Sequence, residues 1–581
     1  MPERAVSATP DVSVVVAVYN TMPYLTECLN SLVGQSIGRK RLEIVAVDDG
    51  STDDSGRELD RFAALYPDTV KVIHQANSGG PAAPSNRALE VATGRYVYFI
   101  GSDDHLGEKA LERMVACADK HGSDVVVGKM VGTNGRYVHQ ALFKKSDPDV
   151  SLYDSALPFT LANTKLFRRE LVERHKLRFP EDMPVGSDQP FTIEACVRAR
   201  RISVVADYTC YYAVKRGDAS NITYRADHLA RLRCAAQIMD FTAGLIEPGP
   251  RLDAVLLRHF TWELSKLVQD DFPALDRQVQ REICAGIGRL ADAYFTDGIR
   301  DALDVRRRVR ICLAQAGAVD ALCEAITSET TGEGPSLLME DGRVYVRYPG
   351  FRASSPGLPD RCYEVFQDNV AGQLARGTEL LGSAWEQHGE RITYRASVRV
   401  PVTGDTGGAG ITLRLTQGAL PKSADKAGGR PLPAGARLAD PVGVITREPA
   451  ADGRGTVLDA RIPLARRTAE LGVRVYLDIA GSTYEIPVPG KDKPMPLARL
   501  WGGSDVPYRA SAVVNGKGRV VISTAQLYPP LTTRVRTVLA SSQKRVLTPR
   551  VRAALARRLK RLRAVGLRPT GAKKPNGSKR K

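Results

Sequence analysis

The sequence predicts an α/β domain built on a parallel sheet, followed by a helical region and then by a β-rich region. Three observations predict this order. Apolar, β-branched runs alternate with amphipathic segments over roughly the first 130 residues, helical periodicity follows from residue 226, and short alternating strands separated by Gly and Pro begin after residue 335. A chain of 581 residues is too long for one hydrophobic core, so several domains are expected.

Each strand predicted in the first domain is a continuous apolar run that ends in polar residues. The runs are "VSVVVAVYN", "LEIVAVDDGSTDD", "VKVIHQ" and "GRYVYFIGSDD", and they alternate with the helix-like segments "MPYLTECLNSLVGQS", "SGRELDRFAALYP", "ANSGGPAAPSNRALEVAT" and "GEKALERMVACADKHG". Continuous apolar strands are typical of a parallel sheet that is covered on both faces. Such sheets bind ligands at the carboxyl ends of their strands.

The polar residues at these strand ends predict a crevice for a nucleotide and a cation. The candidates are Tyr19 and Asn20 after the first strand, Asp48 and Asp49 after the second, Asn77 after the third, and Asp103 and Asp104 after the fourth. A single acidic pair is more often a turn. Two such pairs with an aromatic residue on one edge favour a ring covered by Tyr19, a base N–H bound by Asp49, and Mg²⁺ or Mn²⁺ bound by Asp103.

Several function classes are disfavoured by the sequence. The first domain contains neither a Walker sequence nor GxGxxG, which argues against a P-loop ATPase or a Rossmann dehydrogenase. Nine cysteines are scattered singly without CxxC pairs, so reduced core thiols are expected and zinc is not. The start lacks the order of a signal peptide, and no apolar run approaches the roughly 18 residues of a membrane span, so a cytoplasmic protein is expected.

The net charge of +18 is concentrated at the carboxyl terminus. From Arg534 to Lys581 there are seventeen Lys or Arg residues and no Asp or Glu. An apolar stripe of Val551, Leu555, Leu559 and Leu562 among these cations predicts a basic amphipathic helix. Such a segment binds an anionic membrane, an acidic polymer or, nonspecifically, nucleic acid, or it packs on its own protein. Membrane or polyanion contact is favoured, and specific nucleic-acid binding is not predicted because no aromatic-interleaved motif accompanies the cations.

The strand-end motifs resemble those of a known enzyme family. "VSVVVAVYN", "VDDGSTDDS" and "YVYFIGSDD" resemble the opening, uracil-contacting and DxD segments of family-2 inverting glycosyltransferases, which have the GT-A fold. "NSGGPAAPSNRAL", "LANTKLFRREL", "FPEDMPVGSDQPFTIEA" and "YYAVKRGD" further resemble the poly(ribitol-phosphate) N-acetylglucosaminyltransferases that decorate wall teichoic acid. The resemblance is strong over residues 11 to 220 and weak after residue 335. It implies transfer of an N-acetylhexosamine from a UDP-sugar to a hydroxyl of a cell-envelope polymer.

The resemblance also implies roles for individual residues. Asp188 in "GSDQPF" would be the catalytic base, and Asp103 would bind the metal, Mn²⁺ or Mg²⁺. The implied nucleotide-binding residues are Ala17, Tyr19, Asp49, Asn77, Lys215 and Arg216, and the implied substrate-binding residues are Arg136 and Asp104. A structural alternative exists for Asp188, because it begins the helical pattern "DQPFTIEACVRA" and an N-terminal Asp stabilises a helix without any other function.

Three positions depart from the family pattern. Gly101 replaces the first acid of DxD, Ser85 replaces an arginine for which Arg87 is the candidate substitute, and Ala219 and Ser220 lie where close relatives carry a metal-binding histidine. His105 is a possible replacement ligand, although a lone surface histidine commonly has no such role. These departures leave open a catalytically weak or inactive carbohydrate- or polymer-binding protein that keeps the GT-A fold.

The predicted domains are a GT-A domain over residues 1–225, a helical linker over 226–335, an immunoglobulin-like β-sandwich over 336–525, and a basic amphipathic helix with a disordered tail over 526–581. In the family the resemblance points to, comparable sandwiches bind polymer or support oligomer formation. Polymer binding, a homo-oligomer and a mere packing accessory therefore stay open for this region. The expected location is the cytoplasm, peripheral at the inner face of the cell membrane, with an anionic envelope polymer as acceptor.

Overall fold

The computed structural model describes residues 9–217, 227–331, 335–403, 411–417, 444–465, 467–479, 482–490, 493–501 and 507–527. The chain divides into two compact units. The first comprises residues 1–370 and 401–408, and the second comprises residues 371–400 and 409–581. Beyond Leu527, the predicted basic tail lies outside the described residues.

The four strands predicted at the start of the chain are confirmed, together with the helices between them. The strands are β1 (Val12–Val18), β2 (Leu42–Asp48), β3 (Val70–His74) and β4 (Tyr96–Gly101), and the helices are α1 (Tyr24–Val33), α2 (Ser55–Leu65), α3 (Ala82–Val91) and α4 (Ala110–His121). β1 pairs in parallel with β2 and with β4, and β2 pairs in parallel with β3. Every residue of β2 is buried, which explains its continuous apolar sequence.

The predicted strands β1 to β4 pair in parallel, and the strands beyond β4, which the sequence did not predict, make the sheet mixed. Its further strands are β5 (His105–Leu106), β6 (Val125–Thr133), β7 (Leu166–Arg168) and β8 (Ile202–Val214), with the helices α5 (Arg169–Arg174) and α6 (Asp188–Arg198). The strand order is β3-β2-β1-β4-β7-β6-β8-β5, and β7 is antiparallel to both β4 and β6. The described residues 134–165, which lead into β7, form loops and 3-10 turns. A parallel strand there would need a crossover element, which this segment does not supply.

The prediction of a helical linker after the first domain is confirmed, whereas its bounds at residues 226 and 335 stay a prediction. The helices are α7 (His228–Leu245), α8 (Pro250–His259), α9 (Arg277–Tyr294), α10 (Asp297–Ala302), α11 (Val305–Gln315) and α12 (Val319–Thr330). α8 continues into a π-helical turn over Phe260–Leu264. Asp227, Asp276 and Asp304 cap α7, α9 and α11, because each side chain accepts a hydrogen bond from an N–H group of the first turn.

The β-rich prediction for the following region is also confirmed. In the first unit, β9 (Leu337–Glu340) and β10 (Arg343–Val346) form a three-stranded sheet with β13 (Val402–Thr403). The helix α13 (Gln367–Gly377) was not predicted. Because β9 and β10 belong to the first unit, the predicted start of the sandwich at residue 336 precedes the second unit.

The second unit contains two antiparallel sheets. Their strands are β11 (Glu379–His388), β12 (Arg391–Val400), β14 (Ile411–Gln417), β15 (Val444–Pro449), β16 (Thr456–Pro463), β17 (Ala469–Ile479), β18 (Ser482–Pro487), β19 (Arg499–Trp501), β20 (Tyr508–Val514) and β21 (Val520–Gln526). One sheet has the order β11-β12-β16-β15, and the other has the order β14-β17-β21-β20-β19 with β18 paired to β17. The immunoglobulin-like arrangement of these sheets stays a prediction.

Two sequence features have structural counterparts. All nine cysteines are free thiols and seven of them are buried, which fits their interpretation as core residues. Among the helices of the described ranges, none has both the length and the apolar character that crossing a bilayer requires.

Candidate active site

The carboxyl ends of the first four strands meet at one edge of the sheet, here called the donor edge. The strand registers align Val18 with Asp48, Asp48 with His74, and Ala17 with Gly101. The residues after these positions therefore leave the sheet side by side. The sequence predicted this grouping, and it brings Ala17, Tyr19, Asp49, Asn77, Asp103 and Asp104 to a common edge.

Asp49 fastens the loop that follows β3. Its carboxylate accepts hydrogen bonds from the Ser78 N–H (3.0 Å), the Ser78 hydroxyl (2.9 Å) and Gln75 Nε2 (2.6 Å), and only 2% of Asp49 is exposed. The Asn77 side chain donates to the Asp49 carbonyl at 2.9 Å. Gly50 has a φ of +74°, and a Cβ there would lie 2.8 Å from the Asn77 nitrogen, so a side chain would not fit. The structure thus joins Asp49 and Asn77, and a base contact by Asp49 stays a prediction.

Tyr19 supplies an accessible aromatic ring at the donor edge. It is 44% exposed at the end of β1, where the ring can cover a planar base. The next residue, Asn20, adopts a φ of +48°, and its side-chain oxygen accepts from the Thr52 N–H at 2.7 Å. This hydrogen bond joins the loops that follow β1 and β2, so it fixes the turn that carries Tyr19.

Asp103 and Arg216 form an ion pair at the donor edge. Arg216 Nε donates to Asp103 Oδ2 at 2.7 Å, and both side chains are largely buried. The Arg216 guanidinium also lies 5.8 Å from the ring centre of Tyr24. A cation predicted to bind a diphosphate and a carboxylate predicted to bind a metal are therefore direct neighbours.

Asp104 has protein partners on both carboxylate oxygens. It accepts from the Tyr211 hydroxyl at 2.5 Å and from the Val214 N–H at 2.7 Å, while Arg136 Nη1 lies 3.7 Å away. Burial, assisted by the negative charge of Asp103, raises the pKa of Asp104 to about 6. Asp104 thus holds the end of β8, from which Lys215 and Arg216 follow. Its predicted contact with substrate, and that of Arg136, stay predictions.

The donor edge fits a cation that binds together with a diphosphate. Within the described ranges, no group of three or more His, Cys, Asp or Glu side chains is assembled for a metal. A Cβ at Gly101 would lie 3.0 Å from Asp104 Oδ2, and His105 is stacked on Tyr212 with 4.8 Å between ring centres. Mg²⁺ is commonly held by one or two carboxylates with phosphate oxygens and water as the other ligands. Asp103 satisfies that requirement only when the nucleotide supplies the remaining oxygens.

Asp188 is the first residue of α6, and Ser187 occupies the N-cap position. Asp188 therefore lies in the first turn of α6, where a negative charge stabilises the helix, so the structural alternative stays open beside the predicted role of base. Asp188 is half-buried. Burial, the strongest influence, raises the pKa of Asp188, and the positive charges of Arg258 and Lys165 oppose that rise. A carboxylate with a raised pKa is a stronger base, which suits the role predicted for it.

Two buried cations beside Asp188 were missed from the sequence. Lys165 is 1% exposed and donates to the carbonyls of Thr160 and Ala162, and burial lowers the pKa of Lys165 to about 8. Arg258 lies on α8 of the helical linker and reaches the residue after Asp188, since its Nη1 donates to Gln189 Oε1 at 2.7 Å. In the sequence, His259 next to Arg258 interrupts an apolar helical stripe, which marks a buried polar position but not a contact with Asp188.

The departures from the family pattern have different outcomes. The Ser85 hydroxyl donates to the Pro81 carbonyl at 2.6 Å, and Arg87 forms an ion pair with Glu90 on the surface. Whether Arg87 substitutes for the missing arginine stays a prediction. Ala219 and Ser220 lie outside the described residues.

Comparison with known families agrees with this geometry. The family described as "Glycosyl transferase family 2" matches residues 13–178, which contain the donor edge. The family described as "Glycosyl transferase TarS linker domain" matches residues 229–326, which contain α7 to α12 except for the ends of the first and last helix. The predicted boundary near residue 225 falls between the two matches.

Curated relatives share the first part of the chain. Poly(ribitol-phosphate) beta-glucosyltransferase of Bacillus spizizenii is 42% identical over 214 residues, which are 37% of this chain and 34% of that protein. Poly(ribitol-phosphate) beta-N-acetylglucosaminyltransferase TarS of Staphylococcus aureus is 41% identical over 204 residues, 35% of each chain. The matched region thus spans about a third of the length of these relatives.

Solved structures extend the comparison. Staphylococcus aureus TarS 1–349 in complex with UDP-GlcNAc is 30% identical with a TM-score of 0.52, covering 58% of this chain and 97% of that one. The crystal structure of S. aureus TarS has a TM-score of 0.55 and covers 90% of this chain and 86% of that one at 22% identity, which shows a shared fold. The chain therefore belongs to glycosyltransferase family 2 and has the GT-A fold followed by a helical linker and C-terminal sheets.

Proposed function

We propose that the protein is an inverting glycosyltransferase that moves an N-acetylhexosamine from a UDP-sugar to a hydroxyl of a poly(ribitol phosphate) polymer. The observation that carries the proposal is Asp188, a half-buried carboxylate with a raised pKa that begins a helix in the domain that also forms the donor edge. Support for the donor comes from TarS 1–349, which was solved with UDP-GlcNAc. Support for the acceptor comes from the printed names of the relatives from B. spizizenii and S. aureus.

The donor edge binds and orients the nucleotide in this proposal. Tyr19 covers the base, and Asp49 and Asn77 contact it from the loop that they fasten. Lys215 and Arg216 face the diphosphate and offset its negative charge. A divalent cation, held by Asp103 and the diphosphate, would add charge neutralisation to the leaving group.

The proposed reaction is a single displacement, in which Asp188 acts as the base. Asp188 removes the proton of the acceptor hydroxyl as that oxygen attacks the anomeric carbon of the donor sugar. The bond from the anomeric carbon to the diphosphate oxygen breaks on the opposite face, and its electrons leave with UDP. The sugar is therefore transferred with inversion, and the proton stays on Asp188 until solvent removes it.

A second candidate is a polymer-binding protein without turnover. Two observations favour it: Gly101 removes one acid of the metal motif, and Arg216 pairs with the acid that is left. Such a protein would bind nucleotide or polymer and release no UDP. Binding and turnover must therefore be measured separately.

The test uses the full chain with UDP-GlcNAc, UDP-glucose and GDP-mannose as donors and a poly(ribitol phosphate) acceptor, each with Mg²⁺ or Mn²⁺. We expect UDP release that depends on acceptor, with UDP-GlcNAc as the best donor and GDP-mannose inactive. Affinity for the polymer together with an absence of nucleoside diphosphate release, UDP or GDP, from every donor would favour the second candidate. Transfer from GDP-mannose would overturn the nucleotide assignment.

A further inference from the structure

The turn that carries Asp188 is contacted by two helices of the linker. From α7, Gln237 Nε2 donates to Asp182 Oδ2 at 3.0 Å, and Ile238 Cδ1 lies 3.2 Å from the position that a Cβ on Gly186 would occupy. From α8, Arg258 donates to Gln189. The linker therefore packs directly on the residues that precede and follow the base.

Arg258 is held rigidly at this contact. It is 8% exposed, and its Nη1 donates at 2.7 Å both to Gln189 Oε1 and to Glu263 Oε1. Its guanidinium lies 5.1 Å from the ring centre of Trp262, which packs edge-on against Phe159 of the catalytic domain. A buried cation fixed by a hydrogen bond, an ion pair and an aromatic ring has little freedom to move away from Asp188.

The backbone around Arg258 is unusual. The π-helical turn over Phe260–Leu264 begins directly after α8 and carries both Trp262 and Glu263, the partners of Arg258. Single π-helical turns are rare and concentrate at functional sites. The Arg258 Nε is also buried without a hydrogen-bond partner in the protein.

We propose that Arg258 is a positioning residue for the transfer reaction. Its fixed positive charge beside Asp188 keeps the base ionised, and its bond to Gln189 fixes the first turn of α6. The helical linker therefore completes the catalytic site as well as connecting the domains. This inference rests on the proposed function of Asp188 as the base.

The charges that face Asp188 come from two directions. Lys165 approaches from the loop before β7, and Arg258 approaches from α8. Behind Arg258 lie Glu263, whose Oε1 pairs with it, and His259, whose Nδ1 is 3.4 Å from Glu263 Oε2. Burial opposes the charged form of Glu263, yet Arg258 and His259 keep the pKa of Glu263 at about 2, so the pair is ionised at neutral pH.

Removing the charge of Arg258 should make Asp188 harder to ionise. We expect the loss of activity to depend on pH. At acidic pH, kcat of Arg258→Gln should be about tenfold lower than kcat of wild type, because one opposite charge is lost near the base. At alkaline pH, the two kcat values should approach each other. Arg258→Lys should restore most of the acid-side activity. Glu263→Gln should act in the opposite direction and increase the relative rate at acidic pH, since it leaves Arg258 less neutralised.

The experiment measures kcat of the full chain from pH 5.5 to 9, together with the melting temperature of each variant. Arg281→Gln, an exposed arginine on α9, is the matched control and should leave the profile unchanged. An Arg258→Gln profile of the wild-type shape would overturn the inference, whether or not its overall rate falls. If Arg258→Gln does not fold, a Glu263→Gln profile without the opposite change overturns it. Wild-type protein without turnover would instead refute the proposed function, and the inference falls with it.

Discussion

The donor edge and the turn that carries Asp188 lie in the same unit but are assembled in different ways. The donor edge is closed by bonds among the ends of neighbouring strands, as when Asp49 after β2 binds Gln75 and Ser78 after β3. The turn at Asp188 is closed by the linker, because Gln189 is bound by Arg258, about seventy residues further along the chain. The proposed nucleotide site is thus built by the sheet alone, whereas the turn that carries the proposed base is also contacted by the linker.

This difference predicts which kinetic constant each region controls. The residues of the donor edge that are proposed to bind the base, Tyr19, Asp49 and Asn77, hold it in both the ground state and the transition state, so their loss should raise KM or Kd. Asp103 is the exception at this edge, because its cation would offset charge that develops on the leaving diphosphate. Residues around Asp188 act on a proton that moves only during the reaction, so their loss should lower kcat. The comparison fails if the two sets of variants give the same kinetic pattern.

The largest expected effect is at the base. Asp188→Asn should lower kcat by about 10²–10⁴-fold, because the amide cannot accept the proton of the acceptor hydroxyl. Donor binding, measured by calorimetry with UDP, should stay unchanged. Asp182→Asn on the same turn is the control, since its side-chain oxygen can keep the bond to Gln237. Near-normal transfer by Asp188→Asn would remove Asp188 from the reaction.

A smaller effect is expected at the cation position. Asp103→Ala should reduce turnover by about 10²-fold, because the cation loses its protein carboxylate. In wild type, a chelator should abolish turnover and Mn²⁺ or Mg²⁺ should restore it, whereas added metal should not rescue the variant. The surface variant Asp54→Ala serves as control. Full wild-type turnover in excess chelator would mean that Lys215 and Arg216 offset the leaving diphosphate without a metal.

The next prediction concerns donor binding at the donor edge. Asp49→Asn should raise KM for the donor by about tenfold, because hydrogen bonds to a charged acceptor are lost from the loop at Ser78. The change in kcat should be much smaller than for Asp188→Asn. Substrate titrations of initial rate separate the two constants. A loss confined to kcat would contradict the division between the regions.

The smallest catalytic effect is expected at the tail. Deleting residues 550–581 should leave transfer to a short soluble acceptor unchanged, since the donor edge and Asp188 precede residue 226. The deletion should release the protein from anionic vesicles, because each Lys or Arg near such a surface contributes about 1 kcal/mol. Sedimentation with vesicles across a salt series measures the release. If the truncated and the full-length protein co-sediment equally with vesicles, the tail does not bind the membrane. If the full-length protein binds the acidic polymer in preference to vesicles, the tail binds the acceptor instead.

The sequence predicted the donor edge well for a physical reason. β1, β2 and β4 are buried on both faces, so each appears as a continuous apolar run, and the functional side chains follow directly after those runs. The strand β7 has three residues and no periodicity to detect, which is why its antiparallel insertion was missed. Arg258 was missed because its proximity to Asp188 arises only from tertiary packing of α8.

Family resemblance identified Asp188, but only the structure shows its surroundings. Pattern alone could not distinguish a helix cap from a base, since both place Asp at a helix start. The structure adds that Ser187 occupies the N-cap position and that two buried cations act on Asp188, and the role of Asp188 as the base stays a prediction. The charged side chains that surround a buried residue are thus harder to predict from sequence than the strands and helices.

The stereochemistry of the product tests the central claim most directly. A UDP-sugar donor is linked through an α-anomeric bond, and a single displacement by a hydroxyl activated at Asp188 forms a β-linked product. Proton NMR of the purified polymer reports this linkage through the coupling of the anomeric proton. A large coupling, as expected for a β-linked N-acetylglucosamine, is the predicted result. A small coupling from an α-linkage would contradict the single displacement and the role assigned to Asp188.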